Sequence, residues 1–201
     1  MKSVFFALCL CALSAWAGDA ERLVADARAQ IGVTTGYDPA YREIAFPMGD
    51  VDLATGVCTD VIIRAYRGQG IDLQALVHAD MRRAFAVYPQ HWGLKKPDSH
   101  IDHRRVPNLQ TFFRRHGQSL PASDDAADYL PGDLVTWMLP GNRPHIGIVS
   151  DQKSANGTPL IIHNIGAGTR EEDILFAYPL TGHYSQRRIY WHNIPAQLQE
   201  D

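Results

Sequence analysis

The feature that most constrains the fold is a change of hydrophobic period at Pro131-Gly132-Asp133. Before it, apolar residues recur at helical spacing; after it, they fall in short β-branched or aromatic runs separated by turn residues. Leu23, Ala27 and Ile31 stand every fourth position, with Asp19 placed as a cap and Gly32 as a stop, which predicts a helix over 19–31. Val61, Ile62 and Ala65 form a stripe from Cys58 to Arg67, closed by Gly68, and predict a second helix with Cys58 in its first turn. Asp72 caps a third, carrying Leu76, Val77, Ala84 and Phe85 and ended by Tyr88-Pro89. A short helix runs through Leu109, Phe112 and Phe113 to Gly117. Beyond the switch, Leu134 to Leu139, Ile146 to Val149 and Leu160 to His163 predict strands, Asn156-Gly157 predicts a hairpin joining the last two, and Arg188 to His192 predicts a final strand. Helices first and an antiparallel sheet second is an α+β order.

Lys2, the apolar run Val4 to Leu13 and the small residues of Ala15-Trp16-Ala17 read as an export signal over 1–17, cleaved before Gly18. The run falls short of the roughly 20 apolar residues of a membrane span, and no later stretch approaches it. A lipid anchor on Cys9 or Cys11 is disfavoured because each follows a leucine rather than a small residue. Residues 18–201 suit one domain, secreted to the periplasm or beyond, with no internal repeat or linker to divide it. A formal net charge of −3 with mixed signs leaves no basic stripe for nucleic acid or anionic lipid. No oligomeric state is written in the sequence.

Removal of the signal would leave Cys58 as the one thiol, in a compartment where cysteines otherwise pair. Two readings follow: a buried small hydrophobe, or a nucleophile. At a helix N-terminus, unpaired N–H groups and the positive end of the helix dipole favour the thiolate, and the same N–H groups can receive an oxyanion. A nucleophilic thiol also needs a base, for which histidine is best matched near neutral pH. Of nine histidines, His145 opens the apolar run Ile146-Gly147-Ile148-Val149 after a Gly-Asn-Arg-Pro turn, a position a strand would fix. His163 ends the paired run Leu160-Ile161-Ile162, where it can orient the His145 ring as the third member of a triad.

Gly56-Val57-Cys58-Thr59-Asp60-Val61-Ile62, Pro131-Gly132-Asp133-Leu134-Val135, His145-Ile146-Gly147-Ile148-Val149 and Ile162-His163-Asn164 resemble, in order, the motifs of the NlpC-type papain-like cysteine hydrolases. With Tyr37-Asp38-Pro39, Tyr66-Arg67, Tyr88-Pro89 and the run Ile101 to Leu109, the chain is similar to a secreted bacterial family known as domain of unknown function 1287. The resemblance implies a papain-like core, a site of Cys58, His145 and His163, and hydrolysis of amide bonds, often in the peptide stems of peptidoglycan. It implies no cofactor. The chain departs from the superfamily around the nucleophile, where Asp-Cys-Ser-Gly is the usual run, and Phe46 stands as a replacement for an upstream tyrosine that often donates to the oxyanion.

The dense segment His100-Ile101-Asp102-His103-Arg104-Arg105 reads either as a substrate wall, in which Asp102, His103 and Arg105 bind and an arginine clamps a carboxylate, or as a surface loop stitched by an ion pair. Metal ligation by His100, Asp102 and His103 lacks a diagnostic spacing. Asp60 points away from the nucleophile on a helix and suits the helix N-terminus, while Glu171-Glu172-Asp173 reads as solvated surface. Acyl transfer or thioester hydrolysis on the same site, and a non-catalytic envelope protein binding peptidoglycan or a partner, stay open beside amide hydrolysis.

Overall fold

The computed structural model of the chain describes residues 19–185; the expected export signal and the expected strand at 188–192 lie outside the described residues. Four helices are followed by a six-stranded antiparallel sheet, an α+β architecture. Helix α1 spans residues 19–28 and buries Leu23, Val24 and Ala27. It stops short of the expected end: the chain turns at 29–33 and leaves Ile31 at the surface, because Gln30 instead reaches inward to donate to the Val61 carbonyl at 2.9 Å.

Helix α2, Cys58–Gly68, is almost wholly buried, packing on the sheet on one side and against α3, Leu73–Ala84, on another. Full burial of each of Val61 and Ile62 stabilises the fold by about 1.5–3 kcal/mol. Asp72 caps α3 by accepting from Gln74 N at 2.9 Å and Ala75 N at 3.3 Å. Helix α4, Val106–His116, completes the layer with Leu109, Phe112 and Phe113 fully enclosed, and ends at Gly117 as the sequence predicts.

The strands are β1 Gln118–Leu120, β2 Leu134–Leu139, β3 Arg143–Lys153, β4 Pro159–Asn164, β5 Thr169–Glu172 and β6 Leu180–Ser185, in the order β1-β6-β2-β3-β4-β5. Alternation sends Leu134, Ile146, Ile148 and Ile162 into the core beneath the helices, while Val135, Trp137, Val149 and Ile161 form a second cluster on the other face. That second face is closed by Tyr129 and Leu175, and the Trp137 indole donates to the Leu175 carbonyl at 2.9 Å. Both faces being covered explains why β2 and β4 read as nearly continuous apolar runs.

The long segment before α2 is fastened by charge rather than by regular structure. Asp50 receives two arginines of α2, Arg64 at 3.1 Å and Arg67 at 2.6 Å. Gln74 accepts from Gly49 N at 2.8 Å and donates to the Ala45 and Ser99 carbonyls at 2.8 and 3.0 Å. One buried amide thereby ties this segment and the 90–105 loop to α3, and fixes the walls around Cys58. Among the described residues no helix is long and apolar enough to cross a membrane.

Candidate active site

Cys58 opens α2, and the turn before it is held from within the helix: the Asp60 carboxylate reaches back to accept from Val57 N at 2.7 Å. The other side of Asp60 meets Arg104 in a fork, Nε to Oδ1 and Nη2 to Oδ2, both at 2.9 Å and both buried. Thr59 donates to the Arg104 carbonyl at 2.9 Å. The segment 102–105 is therefore locked against the turn that carries Cys58.

The thiol lies where β3 and β4 part. Their register runs through Ile148↔Ile162 and Val149↔Ile161, which leaves the Ile146 N–H clear of that ladder to hydrogen-bond the Cys58 sulfur. The N–H groups of Thr59 and of Cys58 itself also reach the sulfur. Burial outweighs these donors and pushes the thiol up to about 12. The helix-terminus argument predicts a thiolate; desolvation reverses it.

His145 precedes Ile146 on β3 and pairs in register with Trp137, the two rings tilted against each other at 5.7 Å between centroids. Its Nε2 lies 3.0 Å from His163 Nδ1 on β4, and His163 Nε2 lies 3.1 Å from Glu172 Oε2 on β5. A carboxylate can only accept, so His163 carries its proton on Nε2 and presents a bare Nδ1. His145 must then donate from Nε2, which leaves its own Nδ1 with the free lone pair. Three strands thus fix one tautomer. Burial, and after it the neighbouring His163, hold the His145 ring down to about 3, so the ring and the thiol both rest uncharged.

A cavity of about 910 Å³ opens over Cys58. Tyr37, Arg104 and Arg105 line it; Asp102 and His103 do not. Asp102 is buried behind the wall, where it accepts from Arg105 Nη1 at 2.9 Å and from Asp98 N at 2.6 Å. His103 is buried as well, and desolvation followed by repulsion from Arg104 pushes it down to about 3. Of the three residues proposed from sequence for the substrate wall, only Arg105 faces the space, its guanidinium 4.0 Å over the Trp92 ring.

Two residues the sequence reading passed over meet the site. Tyr37 lines the cavity, as does Tyr41, and burial, with Cys58 next, raises the Tyr37 phenol to about 12. Phe46 instead packs on His78 of α3 at 5.1 Å. Glu172, read as solvated, is the His163 partner, and its neighbour Glu171 binds Arg28 at 2.8 Å. The spacing of β4 and β5 gives the only signal for Glu172, since His163↔Arg170 in register brings the second residue beyond Arg170 to the same face. Among the described residues no group of three or more His, Cys, Asp or Glu side chains is arranged to hold a metal ion.

The model of the family described as Domain of unknown function (DUF1287) matches residues 24–186. The chain belongs to that family. Within the DUF1287 match fall Cys58, His145, His163 and Glu172 alike. A curated relative, "Uncharacterized protein YijF" of Escherichia coli (strain K12), is 58% identical over 158 residues, covering 79% of this chain and 77% of its own. Among solved structures, NlpC2 and NlpC1 of Trichomonas vaginalis align over 84% of this chain at 18% identity, with TM-scores of 0.44 and 0.45. The chain spans about half the length of those two proteins, 47% and 45%.

Proposed function

We propose that this DUF1287 protein is a secreted cysteine hydrolase that cleaves an amide bond, with peptidoglycan peptide stems as its substrate. The observation that carries the reading is the junction at Ile146: its N–H reaches the Cys58 sulfur, and the residue before it is the histidine whose tautomer His163 and Glu172 set. Three of the four sequence motifs that resemble the NlpC-type hydrolases, those around Cys58, His145 and His163, supply the residues of this reading.

In the proposed reaction His145 Nδ1 takes the thiol proton as the sulfur attacks the carbonyl carbon. The protonated ring is stabilised through the chain to Glu172, and the proton passes to the departing amine as the C–N bond breaks. A thioester on Cys58 remains, and water activated by the same ring releases the acid. Starting from an uncharged pair, proton transfer accompanies attack, so a buried thiol is protected from adventitious alkylation and still competent with substrate in place. The Cys58 N–H at the start of α2 and the Tyr37 phenol are the donors assigned to the oxyanion.

The burial of that uncharged thiol favours one second reading, an envelope protein that binds stem peptides without cleaving them. Incubation with purified muropeptides, followed by mass spectrometry, decides. Hydrolysis products from the wild type and none from a folded Cys58→Ala variant are expected. Equal products from both would sink the assignment, and binding without products from the wild type would favour the second reading.

A further inference from the structure

The cavity over Cys58 continues past the thiol as a groove. Its long wall is one face of α4: Val106, Gln110 and Arg114, each four residues beyond the last, all line it. Opposite stand Met138, Asn142 and Pro144 at the tip of the β2–β3 hairpin. Thr59 holds the Arg104 carbonyl, which places Val106, two residues on, at the thiol's end. At 1.5 Å rise per residue, Arg114 then lies about 12 Å farther along the helix axis, two turns away.

The lining carries three arginines and no carboxylate, in a chain whose formal net charge is −3. Two of the three are already paired. Arg104 is forked onto Asp60, and Arg105 is tied to Asp102 while stacked on Trp92. Arg114 is different: it is exposed, it donates to the Thr111 hydroxyl at 3.0 Å and bonds the Tyr184 side chain, and no carboxylate among the described residues pairs with it. A positively charged lining in a chain of the opposite overall sign marks the kind of anion the groove attracts.

The geometry points to a subsite at Arg114 for the carboxylate of an extended peptide whose reacting carbonyl lies at Cys58. At about 3.3 Å per residue, three to four extended residues bridge the two points. The guanidinium fork, with Thr111 and Tyr184 using part of it from below, presents its remaining N–H groups to the ligand. The assignment of the reacting end rests on the hydrolase reading; the anion subsite itself does not.

The test therefore measures binding, in the Cys58→Ala protein, by tryptophan fluorescence with Trp92 as the reporter in the groove. Three probes are compared: acetyl-tetraalanine amide, which is neutral; acetyl-tetraalanine with a free C-terminal carboxylate; and succinyl-tetraalanine amide, with the anion at the other end. At least one anionic probe is expected to bind about tenfold tighter than the neutral one, with the advantage lost in an added Arg114→Gln change, kept in part by Arg114→Lys, and shrinking with salt. Equal binding of all three, a preference that survives Arg114→Gln, or no binding at millimolar peptide would overturn the subsite. Anion-selective binding in a protein whose wild type cleaves nothing would instead retain the subsite and reject the hydrolase.

Discussion

Replacing Asp60 by Asn tests whether the turn that carries Cys58 is held by a buried charge pair. In the native chain both partners are almost fully enclosed, with side-chain exposures of 4% for Asp60 and 2% for Arg104. Three bonds converge on the carboxylate: two from the Arg104 guanidinium at 2.9 Å and one from Val57 N at 2.7 Å. Asn keeps one oxygen for Val57 N, so the helix cap survives and the loss isolates the charge. An uncompensated buried guanidinium costs about 3–5 kcal/mol. At about 2–4 °C per kcal/mol for a domain of this size, the melting midpoint should fall by roughly 6–20 °C. Adding Arg104→Met removes the stranded charge and should recover most of that loss. Thermal melts followed by circular dichroism on the two single variants and the double variant close the cycle. A fall below about 1 kcal/mol in Asp60→Asn, or a double variant no more stable than Asp60→Asn, would refute the reasoning.

A Cβ added at Gly147 would sit 2.5 Å from Ile161 Cγ2 and 3.2 Å from His163 Cβ, so Gly147→Ala should cost about 1–3 kcal/mol and push His163 away from His145; melts and muropeptide turnover, both lowered, check it. Glu172→Ala should lower kcat by about 10- to 100-fold with KM little changed, less than the about 10⁴ of a buried orienting carboxylate because Glu172 is partly exposed. Glu172→Gln, whose amide oxygen can still accept from His163, should retain much of the activity, and equal loss in both variants would remove Glu172 from the relay. His103 and His145 are both held down from 6.5 to about 3, so the unfolded chain takes up their protons first as pH falls. Stability should be flat with respect to these groups above pH 6.5 and decline below it, by about 2 kcal/mol per histidine at pH 5. Urea midpoints that do not change between pH 7 and 4.5 would contradict this.

The parts legible in the sequence are those whose signals are local. Asp72 caps α3 because a short acceptor there meets the first free N–H groups, and the β3–β4 hairpin follows from two apolar runs around Asn156-Gly157. His145 and His163 stand out because each borders such a run. The parts that were not legible depend on distant partners. β5, Thr-Arg-Glu-Glu, is polar because it borders the sheet, and its Glu172 gains meaning only from its hydrogen bond to His163 on the neighbouring strand, one same-face step away from the directly paired Arg170. Asp102 and His103 look like exposed binding groups in sequence, yet the Asp60–Arg104 fork draws their turn inward and buries them. The same distant packing decided the protonation of Cys58: its helix position favours a thiolate, and enclosure by β3 and β4 costs more than the dipole returns.

The thiol comes from the helical first half of the chain, and the histidines come from the sheet made of the second. During synthesis Cys58 is finished long before His145 exists, and neither histidine has its tautomer until β5 closes against β4. A nascent or unfolded chain thus carries the thiol without the paired histidines. The cysteine and the histidine pair come into one neighbourhood only when the two halves dock, so any chemistry they share is a property of the folded chain and of neither half alone.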